Sequence, residues 1–194
     1  MQSWPSLPDT PLRAGGPLSA EIRARGVTDF RSAGRYLQAL PYGRTRDRAD
    51  FQGVLTEGRG TCSTKHALLA AVALEQRVPV RLTLGIYMMS ERNTPGVGAV
   101  LGRHGLDAIP EAHCYLTHDG LRIDVTRTGA EPSEPIAEFL HEETIVPEQI
   151  GDHKVAVHRA FMRRWVGDHP ELVGGRSFED VWTIREACVA ALAQ

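Results

Sequence analysis

Residues 58–66 read Gly-Arg-Gly-Thr-Cys-Ser-Thr-Lys-His and continue directly into the apolar segment Ala67–Leu74. Glycine is favoured in loops, whereas the alanines and leucines that follow are strong helix formers. The pattern predicts a loop that delivers Cys62 to the first turn of a helix, which extends to about Gln76. Because apolar residues lie almost all the way round this helix, we expect it to be buried.

The start of the predicted helix favours a reactive thiol. Backbone N–H groups in a first helical turn lack partners within the helix, and the macrodipole adds positive charge there. Both effects favour thiolate over thiol, and Lys65 in the same turn acts in the same direction. Cys62 is therefore the candidate nucleophile; the alternative is a small residue that merely packs at a helix start.

The composition indicates an ordinary globular protein. The chain has 194 residues, of which 42% are hydrophobic and 24% charged, proportions typical of soluble domains. We expect an irregular lead-in at residues 1–17, rich in proline and glycine, and a single domain over residues 18–194. A net charge of −2 favours neither nucleic acid nor a membrane surface as a partner.

The sequence predicts a cytoplasmic location. The longest apolar run, Ala67–Leu74, is too short to span a bilayer. The segment Met1–Pro5 lacks the basic start and apolar centre of a signal peptide. Three cysteines, an odd and sparse count, suit a reducing compartment better than a disulfide framework.

Asp119 and Gly120 separate two alternating runs, which predicts a hairpin over residues 111–126 with a two-residue turn. In that register Leu116 lies opposite Ile123. One face then collects only apolar side chains, namely Ala112, Cys114, Leu116, Ile123 and Val125. The other face collects His113, Tyr115, Thr117, Arg122, Asp124 and Thr126, all polar or amphipathic. A shift by one residue would destroy this sorting, which supports the register.

The register places His113 and Asp124 on the same face as diagonal neighbours within side-chain reach. A carboxylate there accepts a hydrogen bond from one imidazole nitrogen and leaves the other to take a proton from a thiol. The same register puts Cys114 in the core, and Cys188 falls on the buried stripe of a helix. Cys62 is thus the one cysteine predicted in a reactive setting. A His–Asp pair on a sheet is not specific to catalysis, and a structural role for the pair stays open.

The sequence predicts neither a metal site nor a cofactor. No further histidine or cysteine falls at short ligand spacing from His113, and Cys114 points away from it. We therefore expect surface positions or local hydrogen bonds for the other histidines, which are His66, His104, His118, His141, His153, His158 and His169.

Periodicity and turn signals predict the remaining elements. Helices are expected over residues 20–25, 29–40, 50–57, 97–101, 153–166 and 177–192, strands over 80–89 and 142–146, and polar loops over 43–50 and 127–140. The long, glycine-containing excursion over residues 91–110 is typical of a lid or binding loop.

Cysteine, histidine and aspartate in this order resemble the transglutaminase-like superfamily, a branch of the papain-type cysteine enzymes. The resemblance covers roughly residues 58–126. It rests on four motifs: Gly60-Thr61-Cys62, Val78-Pro79-Val80-Arg81 with Gly85, Ala112-His113, and Asp124-Val125-Thr126. Tyr115, Thr117 and Leu121 stand where the family usually has tryptophan, an acidic residue and tryptophan, so the chain resembles a divergent member.

The resemblance implies an α/β fold of the α+β type, with an antiparallel sheet packed against the buried Cys62 helix. It also implies acyl transfer or hydrolysis at an amide through a thioester on Cys62. His113 would act as general base and then acid, and Asp124 would orient His113. The implied partner is a peptide, protein or small-molecule amide substrate, and the acyl acceptor and oligomeric state stay open.

Residues around the triad are expected to bind the substrate. The backbone N–H of Cys62 is one predicted oxyanion donor, and Gln52 and Tyr42 are the upstream side chains within reach as the second. Thr61 and Tyr115 complete the predicted substrate contacts. The competing interpretation is a binding or scaffold protein that keeps the transglutaminase-like fold without turnover.

Overall fold

The computed structural model describes residues 1–126 and 134–193, which form a mixed α/β structure. Its α-helices are α1 Pro17–Arg23, α2 Phe30–Ala39, α3 Gly53–Glu57, α4 Cys62–Gln76, α5 Gly98–Arg103, α6 Asp152–Asp168 and α7 Phe178–Ala191. Its strands are β1 Arg81–Met89, β2 Ile109–His118, β3 Leu121–Ile123 and β4 His141–Ile145. None of the helices in the described part of the chain is long and apolar enough to cross a membrane.

The helix predicted from the Ala-Leu run is α4, and both of its predicted ends are confirmed. It begins at Cys62 and ends at Gln76, after which Arg77 adopts a left-handed conformation that stops the helix. Its first twelve residues, 62–73, are all buried. An isolated amphipathic helix buries one stripe, so burial on all sides requires neighbours all round. Those neighbours are α1, α2, α3 and the 3₁₀ turn Pro147–Ile150.

The predicted hairpin forms, but it is shorter than expected. Asp119 and Gly120 both have positive φ, as a two-residue turn requires, and Leu116 pairs with Ile123 in the predicted register. The second strand, however, ends at Ile123, because the N–H of the following Asp124 donates to the carbonyl of Gln2 instead. The amino-terminal segment therefore replaces the last pairs of the predicted ladder.

The four strands form an antiparallel sheet in the order β3-β2-β1-β4, with β4 at the predicted edge. The alternating pattern of β1 predicts one buried and one polar face, but positions 82–87 are buried on both faces. Gly85 is one reason, because the ring of Phe139 lies where a Cβ at that position would be. Of the predicted loop at residues 127–140, the segment 134–140 contains neither helix nor strand, and 127–133 lie outside the described residues.

The described residues group into two compact units, each made of three separate chain segments. Unit 1 contains residues 1–84, 113–126 and 143–151, and it holds α1 to α4 and the hairpin from His113 onward. The predicted irregular lead-in belongs to this unit. Its Leu7 and Leu12 are buried, so this segment contributes to the core even though it is mostly irregular.

Unit 2 contains residues 85–112, 134–142 and 152–193, with α5, α6 and α7. Its hydrophobic core includes Val97, Val100 and Leu101, which lie in the excursion for which the sequence predicts a lid or binding loop. A short helix does form there, as predicted, and it packs against α7. Much of this excursion is therefore core structure of unit 2.

A buried ion pair crosses the core of unit 2. The guanidinium of Arg185 on α7 donates to both carboxylate oxygens of Glu111 on β2, at 2.6 and 2.5 Å. Burial raises the pKa of Glu111, but the charges of Arg185, His158 and Lys154, together with the hydrogen bonds from Arg185, outweigh burial and lower the pKa to about 2. His158 of α6 lies nearby, buried, and donates from Nε2 to the carbonyl of Pro110 at 3.0 Å. Glu111 is thus an ionised group, and Arg185 bonds both of its carboxylate oxygens.

We expect Arg185→Met to lower the free energy of unfolding by about 3–5 kcal/mol, because it leaves the Glu111 carboxylate buried and unpaired. Urea unfolding at pH 7 measures the loss. The control is Arg103→Met, an exposed arginine of the same unit, for which we expect a change within about 0.5 kcal/mol.

The double variant Glu111→Gln/Arg185→Met should recover much of that stability, since neither charge is then left alone. The pair also makes stability depend on pH. In the wild type, Glu111 contributes to the free energy of unfolding above its unfolded pKa, near 4.5, and this contribution is lost as the pH falls toward about 2. Equal stability of wild type and Arg185→Met would show that the pair is not a stabilising contact.

Candidate active site

The loop before α4 is fixed by backbone pairing. Gly43 donates to the carbonyl of Gly60, and Gly60 donates to the carbonyl of Pro41, so that Tyr42 and Gly60 form a short parallel bridge. A Cβ on Gly60 would lie 2.9 Å from both Cγ of Lys65 and Oγ1 of Thr64. Glycine is therefore required there, because the first turn of α4 folds back against the loop that precedes it.

Cys62 is the first residue of α4 and is buried. Thr61 caps the helix, and its backbone N–H donates to the Thr64 hydroxyl at 3.0 Å. The sulfur lies 3.8 Å from the Ser63 hydroxyl. The backbone N–H of Cys62 belongs to the first turn, whose N–H groups have no acceptors within the helix and point toward the side from which the chain enters.

His113 and Asp124 are brought together as the hairpin register predicts. Nε2 of His113 donates to Oδ2 of Asp124 at 2.9 Å. The other carboxylate oxygen, Oδ1, accepts the backbone N–H of Thr126 at 2.8 Å and also the Thr126 hydroxyl. Each oxygen of Asp124 therefore has its own partners, which fixes the orientation of the carboxylate.

The imidazole of His113 also interacts with the thiol of Cys62. The two side chains are hydrogen-bonded, and because Nε2 is bonded to Asp124, Nδ1 is the nitrogen available to the sulfur. Burial lowers the pKa of His113, but the charge of Asp124, and after it the charge and hydrogen bond of Cys62, outweigh burial and raise the pKa to about 10. The arrangement favours an imidazolium between two anions.

Asp124 stays ionised in this arrangement. Burial raises the pKa of its carboxyl, but the charge and hydrogen bond of His113, followed by smaller effects of His66 and Thr126, hold that pKa well below its ordinary value. An ionised carboxylate whose two oxygens both accept hydrogen bonds can fix the tautomer and ring orientation of a histidine.

His66 makes a local hydrogen bond, as the sequence predicts, but its complete burial and its second, distant hydrogen bond were not predicted. It is fully buried, and Nδ1 donates to the carbonyl of Cys62 at 2.7 Å, while Nε2 accepts the N–H of Val125 at 2.8 Å. Both nitrogens are thus used by a neutral ring, so the 3.5 Å approach of Nε2 to Asp124 is not an ion pair. His66 ties the residue that bears the thiol to the segment that bears Asp124.

A signal for this role was present in the sequence. His66 lies four residues after Cys62, one helical turn away on the same face, in a helix that is otherwise apolar almost all round. A polar side chain in such a helix is buried and must find partners. One partner, the Cys62 carbonyl, lies in the same helix, but the other, the N–H of Val125, lies 59 residues away along the chain.

The four predicted substrate-binding residues have different environments. Tyr115 is fully buried, with its ring stacked on His113 at a centroid distance of 6.1 Å, so it supports the imidazole. Thr61 is half-buried at the start of α4, and Tyr42 is half-buried beside Gly60. Gln52 is exposed and immediately precedes α3. Tyr115 thus contacts His113, and Tyr42 pairs with Gly60 of the loop before α4. Thr61 is part of that loop and directly precedes Cys62.

The other cysteines are core residues, as predicted. Cys114 and Cys188 are both fully buried. Burial, reinforced by the charge of Glu111, raises the pKa of Cys188 to about 11, which makes it an unreactive thiol. The prediction for the other histidines is wrong for His158, because its ring is buried and bonds the carbonyl of Pro110, 48 residues away. Within residues 1–126 and 134–193, no group of three histidine, cysteine or acidic side chains is arranged to hold a metal ion.

Comparison with family models, with curated proteins and with solved structures finds no match to this chain.

His66 predicts a specific response to acid. Burial lowers its pKa to about 4, so the folded protein keeps the ring neutral at a pH where the unfolded chain, with a pKa near 6.5, is protonated. The stability that depends on the neutral ring is therefore complete above about pH 6.5 and is lost as the pH falls toward 4. We expect His66→Gln to lose less free energy of unfolding than the wild type between pH 7 and pH 5.

Urea unfolding at the two pH values measures both slopes. His66→Leu leaves the Val125 N–H without its acceptor and should cost about 1–3 kcal/mol at pH 7. Identical acid slopes for wild type and His66→Gln would contradict the neutral, doubly bonded ring.

Proposed function

We propose that this chain is a cysteine-dependent enzyme that acts on amides through a thioester on Cys62, as a divergent member of the transglutaminase-like superfamily. The observation that carries the proposal is the chain of contacts from Cys62 to His113 and from His113 to Asp124, the last at 2.9 Å. A nucleophile, a base that bonds it and a third group that orients the base are the parts this chemistry requires.

The resting state in this proposal is a thiolate–imidazolium pair. The raised pKa of His113 arises partly from the charge of Cys62, and the interaction is mutual, so the imidazolium favours the thiolate equally. The position of Cys62 at the start of α4 adds the effect of the helix dipole. The nucleophile is then charged before the substrate arrives.

Acylation follows from that state. The Cys62 sulfur attacks the amide carbonyl carbon, and negative charge develops on the carbonyl oxygen; the proposed donor to that oxygen is the backbone N–H of Cys62. His113 gives its proton to the leaving nitrogen as the carbon–nitrogen bond breaks. The products are a released amine and a thioester on Cys62, with His113 now neutral.

Deacylation uses the neutral imidazole as a base. It removes a proton from water or from an acceptor amine, which attacks the thioester carbon, and the thiolate leaves. Water gives hydrolysis, whereas an amine gives acyl transfer. Asp124 keeps the same tautomer of His113 through both halves, because its Oδ1 is held by Thr126 and only Oδ2 faces the ring.

The first test is the rate of alkylation by iodoacetamide against pH, with mass spectrometry to locate the label. Wild-type Cys62 should react with a midpoint well below the value of about 8.5 for a free thiol, within roughly 3.5 to 7.5. His113→Ala should slow the reaction at pH 6 and recover part of the rate at pH 9, because the neighbouring cation is lost while the helix remains.

Cys114→Ser is the matched control, since it changes a cysteine next to His113 that lies in the core. It should leave the alkylation profile of Cys62 unchanged, at some cost in stability for the buried hydroxyl. A wild-type Cys62 that titrates like a free thiol, with no effect of His113→Ala, would refute the enzyme and support the binding or scaffold protein.

The second test follows acylation with p-nitrophenyl acetate, a small activated ester. Wild type should release a burst of nitrophenolate equal to the enzyme concentration, and Cys62→Ala should release none. Asp124→Asn keeps the shape of the side chain but permits the wrong tautomer of His113, so its burst should be slower by about 10²-fold or more. An equal burst rate in Asp124→Asn would exclude Asp124 from the mechanism.

The same experiment separates hydrolysis from transfer. Added glycinamide should accelerate the slow phase that follows the burst if the acyl group passes to amines, with acetylated glycinamide as the product. If water is the only acceptor, the slow phase should not depend on the amine concentration.

A further inference from the structure

Lys65 is a buried cation that the proposed mechanism does not use. It is fully buried in the first turn of α4, three residues after the nucleophile. A buried ammonium is costly unless hydrogen bonds replace the water it has lost. Nζ of Lys65 donates to the carbonyls of Leu40 and Thr126, each at 2.6 Å. Two short, charge-assisted bonds to the main chain hold this group in one place.

One of these bonds leads directly to Asp124. The Thr126 carbonyl accepts from Lys65, while the N–H and hydroxyl of the same residue donate to Oδ1 of Asp124. Thr126 is therefore held from one side by the ammonium and holds the carboxylate on the other. The bond to Leu40 joins the end of α2 to the same point, next to the Pro41 carbonyl that accepts from Gly60.

The charge of Lys65 also acts on the site. Burial lowers its pKa to about 8, and negative charges on Asp124 and Cys62 oppose that lowering. Because the interaction between two charges is mutual, an ammonium that these anions stabilise must stabilise them in return. The other titratable groups that face this region are His66 on the same helix and His113 bonded to Asp124, whereas Leu40 presents only its carbonyl.

We propose that Lys65 is a positioning residue of the candidate active site. Its ammonium fixes Thr126, and through Thr126 the Asp124 carboxylate, and it adds to His113 a second positive charge that favours the Cys62 thiolate. This inference rests on the proposed function, because it assigns a role only if Cys62 is an activated nucleophile. A lysine that served packing alone would affect stability and leave the titration of the thiol unchanged.

Two substitutions separate the charge from the hydrogen bonds. Lys65→Met keeps most of the apolar stem and removes both, while Lys65→Gln removes the charge and keeps N–H donors. The matched control is Lys154→Met, which removes the only other lysine in the sequence, also buried but belonging to unit 2. The readouts are the alkylation rate of Cys62 by iodoacetamide from pH 4 to pH 9 and the nitrophenyl acetate burst.

We expect both Lys65 variants to raise the midpoint of the alkylation profile by about one pH unit, which slows the reaction about tenfold at pH values below the midpoint. The burst should be slower in Lys65→Met than in Lys65→Gln, because only the amide can still hold Thr126. Lys154→Met should keep the wild-type midpoint. If Lys65→Met does not fold, the midpoint of Lys65→Gln decides.

The outcomes distinguish the two proposals. An activated wild-type thiol with an unchanged midpoint in the Lys65 variants overturns the role of Lys65 and leaves the enzyme intact. A wild-type Cys62 that titrates like a free thiol, with no effect of His113→Ala, overturns both. A raised midpoint in Lys65→Met and Lys65→Gln, but not in Lys154→Met, supports the inference.

Discussion

The two oxygens of the Asp124 carboxylate accept hydrogen bonds from different residues. The fixed orientation of the His113 ring in the candidate site depends on this arrangement. Oδ2 accepts from His113, and Oδ1 accepts twice from Thr126. A carboxylate with one partner can rotate, whereas one that is held at both oxygens presents a fixed acceptor to the imidazole. Because β3 ends at Ile123, the backbone of residues 124–126 is free of the ladder and can fold round this carboxylate.

The same region shows how unit 1 holds polar groups inside an apolar helix. Lys65 and His66 follow one another in α4, and each bonds backbone groups of the segment 124–126. Hydrogen bonds to fixed backbone atoms satisfy these side chains without bringing in further charges, so the first turn of α4 and the end of the hairpin are joined at two adjacent points. In unit 2 a buried charge is instead paired with another charged side chain, because Arg185 donates to both carboxylate oxygens of Glu111.

Features of short range could be predicted from the sequence. The composition of residues 58–76 specifies both ends of α4, and Asp119-Gly120 sets a hairpin register that brings His113 and Asp124 together. Predictions failed where a distant segment supplied the partner. The carbonyl of Gln2 accepts the N–H of Asp124, so β3 is shorter than predicted. The ring of Phe139 packs on Gly85 of β1, a strand for which the sequence predicts one exposed face.

The sequence by itself determined the local positions of the candidate side chains: a cysteine at a helix start, and a histidine and an aspartate on one face of a hairpin. Helical and strand periodicity are local, so residues a few positions apart suffice to specify them. Only the tertiary structure decided what surrounds those side chains. Lys65 bonds carbonyls 25 and 61 residues away, and His66 bonds an N–H 59 residues away. The packing of helices and strands determines these partners, because a buried polar group forms hydrogen bonds with the backbone atoms that the fold places within reach.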